Sequence, residues 1–315
     1  MRRLLFPTLF LLFFACGKAA AQRNHFTILT YNTENSFDTI ASNEHLDHDF
    51  TPKGTYRWSI GRYYKKLRRL AQVILAADTA HPADLILLQE VESDTVMDHL
   101  LHRTALRQMG YEYVITHSLD ARGINVAVVY SPRTFQFISA DTLRGSDMAT
   151  RDILHLSGQL NSGDTLDIYN LHLPSRLGAA EAQRNRRQLA MLLTRHIDSI
   201  AHCRQHPLVL VAGDFNANPT ERLVRTLCQE AQLHNLMADL PDGSYKFQGR
   251  WEWIDQMLVN DNLRQLLPQP PRRLLSQLLE PDATYGGQKP FRAFLGPIYH
   301  GGYSDHLPVV LQIHF

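Results

Sequence analysis

The sequence predicts an α/β fold, specifically a four-layer α/β sandwich in which two packed mixed sheets are flanked by helices. One observation is that the middle of the chain, from Tyr111 to Leu171, is almost entirely strand-like. Another is that amphipathic, helix-like runs stand on both sides of this middle. Central strands with peripheral helices favour stacked sheets between helical layers. The 315 residues allow one domain or two, and the number of strands favours a single domain over residues 22–315.

Ten short runs are predicted to be strands. They are rich in Val, Ile, Leu and Tyr and are bounded by Gly, Pro, Asn or Asp, as strands between turns usually are. In chain order they are Phe26–Tyr31, Leu85–Gln89, Tyr111–Thr116, Val126–Tyr130, Phe135–Ile138, Ile153–Leu160, Leu166–Asn170, Leu208–Ala212, Ile254–Val259 and Val309–Ile313.

Four runs are predicted to be helices. They are Ile60–Ala77, Thr95–Met109, Ala179–Ala201 and Thr220–Glu230. In the first, apolar residues recur at helical spacing. The opposite face carries the basic residues Lys65, Lys66, Arg68 and Arg69. Such a run can bind nucleic acid, but it is more often the solvated face of a helix, and we interpret it as solvated.

Residues 1–21 are predicted to be a secretory signal peptide. Arg2 and Arg3 supply a positive start, an apolar core follows, and small residues at 19–21 offer a cleavage site. A bacterial lipobox that leaves Cys16 lipidated fits equally well, whereas a retained membrane helix is disfavoured because the apolar stretch is short and contains Pro7. We therefore expect an exported protein that is periplasmic, extracellular, or anchored to the bacterial cell envelope through Cys16.

Removal of the leader would lower the formal net charge from +1 to −2, because Arg2, Arg3 and Lys18 leave with it. A body without net basic character argues against a general surface for duplex DNA, although a nuclease can rely on local basic contacts. The remaining cysteines, Cys203 and Cys228, could pair in an oxidising compartment. We favour two buried thiols, since one pair is little for a fold built on disulfides.

Polar side chains stand at the ends of several predicted strands, beginning with Asn32 and Glu90. Hard cations such as Mg²⁺ prefer carboxylate and carbonyl oxygens and keep several waters, so one or two well-placed carboxylates suffice to hold one. Glu90 emerges from the apolar run LILLQ, and Asn32 ends the first strand. Alone, Glu90 could simply open the next helix and Asn32 could be a turn residue. Together they suggest a site for a divalent metal.

Asp214 and Asn216 follow another apolar run, within LVLVAGDFNANP. Two residues apart in an extended chain, they would lie on one side of it. There the carboxylate can take a proton from water while the amide donates to the same phosphate. An Asx-type turn explains one polar residue at this place but explains the whole run less well.

Two histidines, His172 and His306, also stand at strand ends. A lone histidine is more often structural than catalytic. Beside a metal site, however, an imidazole can donate to a phosphoryl oxygen or shuttle a proton near neutral pH. A buried carboxylate usually orients such an imidazole, and Asp255 is the natural partner for His306. Asp305 is adjacent and could approach the metal.

Taken together, seven segments resemble the endonuclease/exonuclease/phosphatase superfamily, which includes pancreatic deoxyribonuclease, exodeoxyribonuclease III-type apurinic-site endonucleases, sphingomyelinases and inositol polyphosphate 5-phosphatases. The segments are YNTEN, QEVE, GINVAVVY, NLHLPSR, GDFNANP, WIDQMLV and SDHLPVV, in the family's order between Tyr31 and Phe315. Each segment alone is unspecific, but the ordered set is highly specific. The stretch from Phe37 to Ile74 also resembles a secreted bacterial branch.

The resemblance implies a deoxyribonuclease I-like four-layer sandwich and dependence on Mg²⁺ or Mn²⁺. The implied metal ligands are Asn32, Glu90 and Asp305. The implied catalytic residues are His172, Asp214, Asn216, Asp255 and His306. In this set Asp214 and Asn216 activate or orient water, and the histidines contact the phosphate. The general base is either Asp214 or His306 held by Asp255.

Two positions depart from the apurinic-site endonucleases. His172 matches the deoxyribonuclease- and sphingomyelinase-like branches, and Trp253 stands where apurinic-site enzymes tend to have Arg. Together with the predicted export, these departures argue against a role in DNA repair.

We expect an exported, metal-dependent phosphoesterase that cleaves phosphodiesters by direct attack of water, since no activated Ser or Cys stands out. Extracellular nucleic acid is the first expected substrate, with phospholipid head groups or other small phosphoesters close behind. The nearby aromatics are Trp251, Trp253, Phe291 and Tyr303; stacking on a substrate and filling the core explain them equally well. The alternative of another class is a non-catalytic module that binds a phosphorylated ligand. We expect a monomer.

Overall fold

Two six-stranded sheets lie face to face at the centre of the molecule. The computed structural model describes residues 25–145, 148–176 and 180–315. The predicted signal peptide and Cys16 lie outside these described residues.

The strands include all ten predicted from the sequence. Within the described residues they are β1 (His25–Ser36), β2 (Leu85–Val91), β3 (Glu112–Ile115), β4 (Asn125–Tyr130), β5 (Phe135–Leu143), β6 (Ile153–Leu160), β7 (Thr165–His172), β8 (Leu208–Asp214), β9 (His234–Asn235), β10 (Tyr245–Phe247), β11 (Arg250–Glu252), β12 (Asp255–Val259), β13 (Arg272–Arg273), β14 (Leu279–Pro281), β15 (Gln288–Pro290), β16 (Phe294–Leu295), β17 (Ile298–Tyr299) and β18 (Val309–His314). The first sheet has the order β13-β18-β1-β2-β4-β3, and the second has the order β5-β6-β7-β8-β12-β9. The pairs β1–β2 and β7–β8 are parallel and their neighbours are antiparallel, so both sheets are mixed.

Both faces of the central strands are buried. In β2, Leu85 and Leu87 point into the core between the sheets, where they pack with residues of the second sheet. The alternate residues, Ile86 and Leu88, pack on the opposite side against α1 and α2, defined below. A strand covered on both faces needs apolar residues at every position, which explains the continuous run LILL.

The helices cover the outer faces of the two sheets. They are α1 (Ile60–Leu75), α2 (Asp94–His102), α3 (Ala180–Cys203), α4 (Arg222–Glu230) and α5 (Asp261–Arg264), with 3-10 helices at His48–Phe50, Ala105–Gln108 and Ser276–Leu278. α1 and α2 pack on the first sheet, and α3 and α4 pack on the second. This order of helix, sheet, sheet and helix confirms the predicted four-layer sandwich. Among the described residues, none of the helices combines the length and the apolar character needed to cross a membrane.

The predicted helix Thr95–Met109 is wrong in its second half, because α2 ends before Thr104 and a separate 3-10 helix follows. The Thr104 hydroxyl donates to the Leu100 carbonyl oxygen at 2.6 Å and accepts from the Leu106 amide at 3.2 Å. A threonine that satisfies backbone groups on both sides of itself offers an alternative to a continuous helix.

The basic run of α1 is only partly solvated. Lys65 and Arg68 are exposed as predicted, but Lys66 is buried, with its Nζ atom 3.5 Å from the Tyr303 carbonyl oxygen. The Arg69 guanidinium lies over the Tyr303 ring, 4.8 Å from its centroid. A distant segment therefore covers part of the face that was predicted to be solvated.

The two cysteines are free thiols, but the prediction that both are buried is wrong. Cys203 is exposed where α3 ends, and Cys228 is half-buried on α4. Both lie on helices of an outer layer, where only the side that faces the sheet is fully covered.

The carboxylate of Asp78 ties the connection after α1 to the start of β1. It accepts hydrogen bonds from the Ala80 amide at 2.9 Å and the Thr27 hydroxyl at 2.9 Å, and it lies 3.0 Å from a ring nitrogen of His25. Burial alone would raise the pKa of Asp78, but these hydrogen bonds outweigh burial and lower it to about 2. The ionised form is therefore favoured in the folded protein.

We expect Asp78 to contribute on the order of 2 kcal/mol to stability near neutral pH. Because its folded pKa lies below the unfolded value, this contribution is present above about pH 4 and is lost as the pH falls towards about pH 2. Urea unfolding of the wild type and Asp78→Asn measures it. The difference between the two proteins should shrink by roughly half between about pH 7 and about pH 3. A constant difference would contradict the assignment.

Candidate active site

The eight predicted site residues meet at one end of the two sheets. Six of them line a single cavity of about 380 Å³. They are Glu90, His172, Asp214, Asn216, Asp305 and His306. The other two stand directly behind the cavity wall, where Asn32 donates to Asp214 and Asp255 accepts from His306. The strands explain this convergence, because Asp214 pairs in register with His172 on β7 and with Asp255 on β12.

A tight turn after β8 sets the position of Asp214. Gly213 has a φ of +134°, and a Cβ atom there would lie 2.0 Å from the Leu171 carbonyl oxygen, so only glycine fits. The Asp214 Oδ1 atom accepts from the Asn216 amide at 2.8 Å, which is an Asx turn. The Asn216 side chain donates to the Leu173 carbonyl oxygen at 3.0 Å. The run GDFN is therefore both a turn and the floor of the cavity.

Glu90, Asn32 and Asp214 form a corner rich in oxygen ligands. The Asn32 side-chain amide donates to Asp214 Oδ2 at 3.0 Å and to Glu90 Oε1 at 3.4 Å. Glu90 ends the regular part of β2 with a φ of +61°, and its Oε2 atom accepts from the Asn35 amide at 2.7 Å. The Asn32 Oδ1 atom accepts from the Glu34 amide at 3.0 Å and keeps a second lone pair. Two carboxylates at a cavity wall suit a hard divalent cation, and the Asn32 side chain faces them through its NH2 group.

His306 and Asp255 form a buried ion pair. The His306 Nδ1 atom lies 2.7 Å from Asp255 Oδ2, which also accepts from the Ser244 hydroxyl at 2.6 Å. Burial alone would lower the pKa of His306, but the charge and hydrogen bond of Asp255 raise it well above its usual value. His306 is therefore an imidazolium near neutral pH, with its Nε2 atom 3.9 Å from Asp214 Oδ2.

Asp214, Asp255 and His306 together form another group that could bind a metal ion. Ligand atoms of Asp214, Asp255 and His306 lie within 4.8 Å of one another, close enough for one ion. In this cluster, Asp255 Oδ2 is already held by His306 and the Ser244 hydroxyl, whereas the buried Asp255 Oδ1 atom has no hydrogen-bond partner among the described residues. The roles of Glu90 and Asn32 as metal ligands stay predictions.

His172 lies on the other side of Asp214. Its Nε2 atom is 3.5 Å from Asp214 Oδ2 and 3.9 Å from Glu90 Oε1. Burial, with help from the positive charge of Arg151, lowers the pKa of His172 well below its usual value, so this imidazole is neutral. Burial raises the pKa of Asp214 to about 7, against the opposing effect of His306. Asp214, a carboxylate whose pKa is close to neutral pH, thus lies between the cationic imidazole of His306 and the neutral imidazole of His172.

Asp305 faces the cavity from the loop before β18. Its Oδ2 atom accepts from the Arg292 guanidinium at 2.9 Å, and its Oδ1 atom lies 3.9 Å from the His306 Nε2 atom. It is therefore placed beside the imidazolium and is paired with a cation. Its role as a metal ligand stays a prediction.

The sequence analysis did not predict eight residues of the cavity wall as site residues. They are Arg122, Arg151, Ser175, Arg176, Tyr245, Phe247, Glu252 and Ile254. Arg151 is held by Asp120 at 2.9 Å, and Arg176 is paired with Glu252. The family-like segments offered signals for some of them, because Arg122 stands immediately before GINVAVVY and Arg176 ends NLHLPSR. The short strand that carries Tyr245 and Phe247 has no periodicity from which a function could be inferred.

The four aromatics considered from sequence mainly fill the cores. Trp253 is buried, and its indole N–H donates to the carbonyl oxygens of Leu240 and Pro241 at 3.1 Å. Trp251, Phe291 and Tyr303 belong to the core beneath α1 or pack against it. The aromatic residues that face the cavity are instead Tyr245, whose ring centroid is 4.9 Å from that of His306, and the partly exposed Phe247.

A model of the endonuclease/exonuclease/phosphatase family matches residues 27–314. The chain belongs to this family. As a family member with this acidic and imidazole-rich site, it is a metal-dependent hydrolase of phosphoester bonds. No curated protein matches the chain.

Several solved structures share the fold of this family member. An endonuclease/exonuclease/phosphatase family protein from Bacteroides thetaiotaomicron has a TM-score of 0.62 at 15% identity, over 92% of this chain and 97% of that one. A mannosyl-6-phosphatase from the same species has a TM-score of 0.58 at 16% identity, over 92% and 100%. The catalytic domain of human nocturnin, with a bound sulfate anion, has a TM-score of 0.58 at 18% identity, over 93% and 95%. At these identities the likeness shows the fold alone.

Proposed function

We propose that this protein is an exported phosphodiesterase that uses Mg²⁺ or Mn²⁺ and cleaves its substrate by direct attack of water. The placement of Asp214 between His172 and His306, beside Glu90, carries the proposal. Residues 22–315 would be the catalytic domain. Export depends on the leader, through cleavage at residues 19–21 or lipidation of Cys16.

The side chains have distinct roles in this mechanism. A divalent cation held by Glu90 and Asn32 would neutralise charge on the phosphoryl oxygens. Asp214, with its pKa near 7, accepts a proton from the attacking water. The His306 imidazolium donates a hydrogen bond to a phosphoryl oxygen or gives its proton to the leaving oxygen, and Asp255 holds it in the charged form. Neutral His172 has one N–H, which at its Nε2 atom can donate either to Asp214 or to the phosphate.

The pKa directions favour Asp214 over His306 as the general base. A base must be deprotonated at the working pH, and the pKa of His306 is raised well above its usual range. The pKa of Asp214 lies near 7, which suits a group that gains and loses a proton in each turnover.

We propose a nucleic acid strand as the first substrate. Tyr245 and Phe247 stand at the cavity beside His306, where an unstacked base can lie against an aromatic ring. Arg122 also lines the cavity, and its side chain is 46% exposed, with only a loose ion pair to Asp120 at 3.7 Å. It is therefore available to a substrate phosphate.

A small phosphoester, such as a sugar phosphate, is the second candidate. The cavity of about 380 Å³ is at the lower end of the range for small-molecule sites. Its wall contains the Arg176–Glu252 pair, which can hydrogen-bond to hydroxyl groups. A neighbour in fold is a mannosyl-6-phosphatase. A phospholipid head group offers the same chemistry and is tested with the other substrates.

Hydrolysis of bis-p-nitrophenyl phosphate by the purified protein tests the proposed function. Activity with Mg²⁺ or Mn²⁺ that disappears in EDTA would support it. Labelled single-stranded DNA and RNA, mannose 6-phosphate and sphingomyelin then separate the substrate classes. If the folded protein cleaves none of these with either metal, a module that only binds phosphorylated ligands becomes the better explanation.

Replacement of Glu90 with glutamine should raise the Mg²⁺ concentration needed for half-maximal activity by at least about tenfold. The reason is that an amide offers the cation one neutral oxygen in place of a charged carboxylate. Titration of activity with Mg²⁺ measures the change, and Glu230→Gln, on the exposed end of α4, is the control. An unchanged metal dependence would remove Glu90 from the metal site.

A further inference from the structure

A second group of potential metal ligands lies on the outer side of the second sheet. It consists of Asp141 on β5, His155 on β6 and His196 on α3. One ligand atom from each residue lies within 4.8 Å of the others. None of the three is among the described residues that line the catalytic cavity. The cluster is therefore distinct from the cavity in which hydrolysis is proposed.

The separation between Asp141 and His155 fits a shared ion. The His155 Nδ1 atom lies 3.4 Å from Asp141 Oδ2. A charged hydrogen bond between such groups is usually about 2.7–2.9 Å long. Two ligands of a tetrahedral zinc ion, each about 2.0–2.1 Å from the metal, stand about 3.3 Å apart. The observed separation is closer to the second arrangement.

Buried groups behind the cluster hold the rings of both histidines. The His155 Nε2 atom lies 3.1 Å from Oδ1 of the fully buried Asp167, whose Oδ2 atom accepts from the Arg204 guanidinium at 3.0 Å. With Nε2–H donating to Asp167, the Nδ1 lone pair faces Asp141. A carboxylate behind a histidine is the usual arrangement in zinc sites, because it fixes the ring and raises its basicity.

The second histidine, His196, is held in the same way by the Tyr169 hydroxyl, which lies 2.9 Å from its Nδ1 atom. The two imidazole rings are 4.7 Å apart between centroids, at an angle of 62°. The two imidazoles and the carboxylate are thus close enough to bind one ion together.

An alternative explanation is that His155 simply forms hydrogen bonds with both Asp141 and Asp167. That arrangement explains the contacts of His155 but gives His196 no role. It also leaves Asp141, whose side chain is 59% exposed, to form a long and weak ion pair. A metal ion would use all three residues, and the open side at Asp141 would admit a water molecule as the fourth ligand.

We propose that Asp141, His155 and His196 bind a zinc ion that links the edge strand β5 to helix α3. Two imidazole nitrogens and one carboxylate oxygen suit Zn²⁺ better than Mg²⁺, which prefers oxygen ligands. β5 lies at the edge of its sheet and pairs with β6 alone among the described strands. The ion would fasten this edge to the helical layer above it.

The metal content of the purified protein tests this proposal. After removal of metals with EDTA, the protein is dialysed against zinc in excess Mg²⁺, and zinc per chain is measured by mass spectrometry. The wild type should hold one zinc ion more than His196→Ala. His202→Ala, an exposed histidine near the end of the same helix, should match the wild type. Equal zinc content in the wild type and His196→Ala would overturn the proposal.

Two further measurements keep the test decisive if His196→Ala folds poorly. Asp141→Asn changes a largely exposed side chain and should lose the same ion. Substitution with Co²⁺ should give the strong visible absorption of tetrahedral coordination in the wild type and not in Asp141→Asn. Zinc a hundredfold above its Kd should raise the wild-type Tm on the order of 5 °C. The same band and Tm shift in Asp141→Asn would contradict the site.

Discussion

Replacement of His306 with alanine should lower kcat for bis-p-nitrophenyl phosphate by about a thousandfold. The substitution removes the imidazolium that Asp255 holds against the cavity, and it leaves the Asp255 carboxylate buried without its partner. His117→Ala, which removes a histidine that is 72% exposed, is the control and should keep full activity. A loss of less than about tenfold would show that His306 does not act on the reacting phosphate.

The choice of leaving group separates the two roles open to His306. The p-nitrophenolate ion departs without a proton, whereas the sugar oxygen of a dinucleotide needs one. If His306 only stabilises the phosphoryl oxygens, His306→Ala should lose the same factor on both substrates. A much larger loss on the dinucleotide would assign leaving-group protonation to His306. Because Asp255 acts through His306, the variant His306→Ala/Asp255→Asn should be no slower than the slower single variant.

Replacement of Asp214 with asparagine should also lower kcat by about a thousandfold, because the proposed base is lost. In the wild type, kcat/KM should rise with pH up to about 7 and then level off, since protonated Asp214 cannot accept a proton from water. A cation at Glu90 favours the ionised carboxylate, so saturating Mg²⁺ should move this limb to lower pH. In Asp214→Asn the limb should disappear.

The control for this experiment is Asp198→Asn, which changes an exposed carboxylate on α3. Circular dichroism should be used to check that Asp214→Asn is folded. The check is needed because the Asp214 side chain is buried against Asn32. If the slow variant kept the wild-type acid limb, the general base would be a different group. That result would favour His306, held by Asp255, as the general base, although its raised pKa argues against this role.

The layers of the fold were predictable because the burial of a strand or helix leaves a pattern of apolar residues within its own sequence. A strand that is covered on both sides must be apolar at nearly every position, so β2 and β8 are visible as LILL and LVLVA. The polar residues that end such strands were equally visible. The relation between Asp255 and His306 was also accessible, because a catalytic imidazole usually has a buried carboxylate partner and Asp255 stands at the start of an apolar strand.

The features that the sequence did not predict depend on contacts between distant segments. Lys66 belongs to a polar run, yet the segment that carries Tyr303 covers it. The buried carboxylate of Glu34 accepts from the Ala293 amide at 2.6 Å, and its charge partly offsets the lowering of the pKa of Lys66 by burial. Arg122 and Phe247 likewise reach the cavity only through the tertiary arrangement. Periodicity within one element cannot reveal which other element will cover it.

The hydrogen bond from Asn32 to Asp214 joins residues that are 182 positions apart, one from each sheet. His306, on the approach to the last strand, must then dock beside them. The complete site therefore forms only after the final segment of the chain has docked. A polypeptide still on the ribosome, or any fragment that ends before residue 306, holds no complete site and should be inactive. Recovery of hydrolysis during refolding should therefore follow the recovery of secondary structure, and enzymatic activity becomes a direct signal that the two sheets have closed.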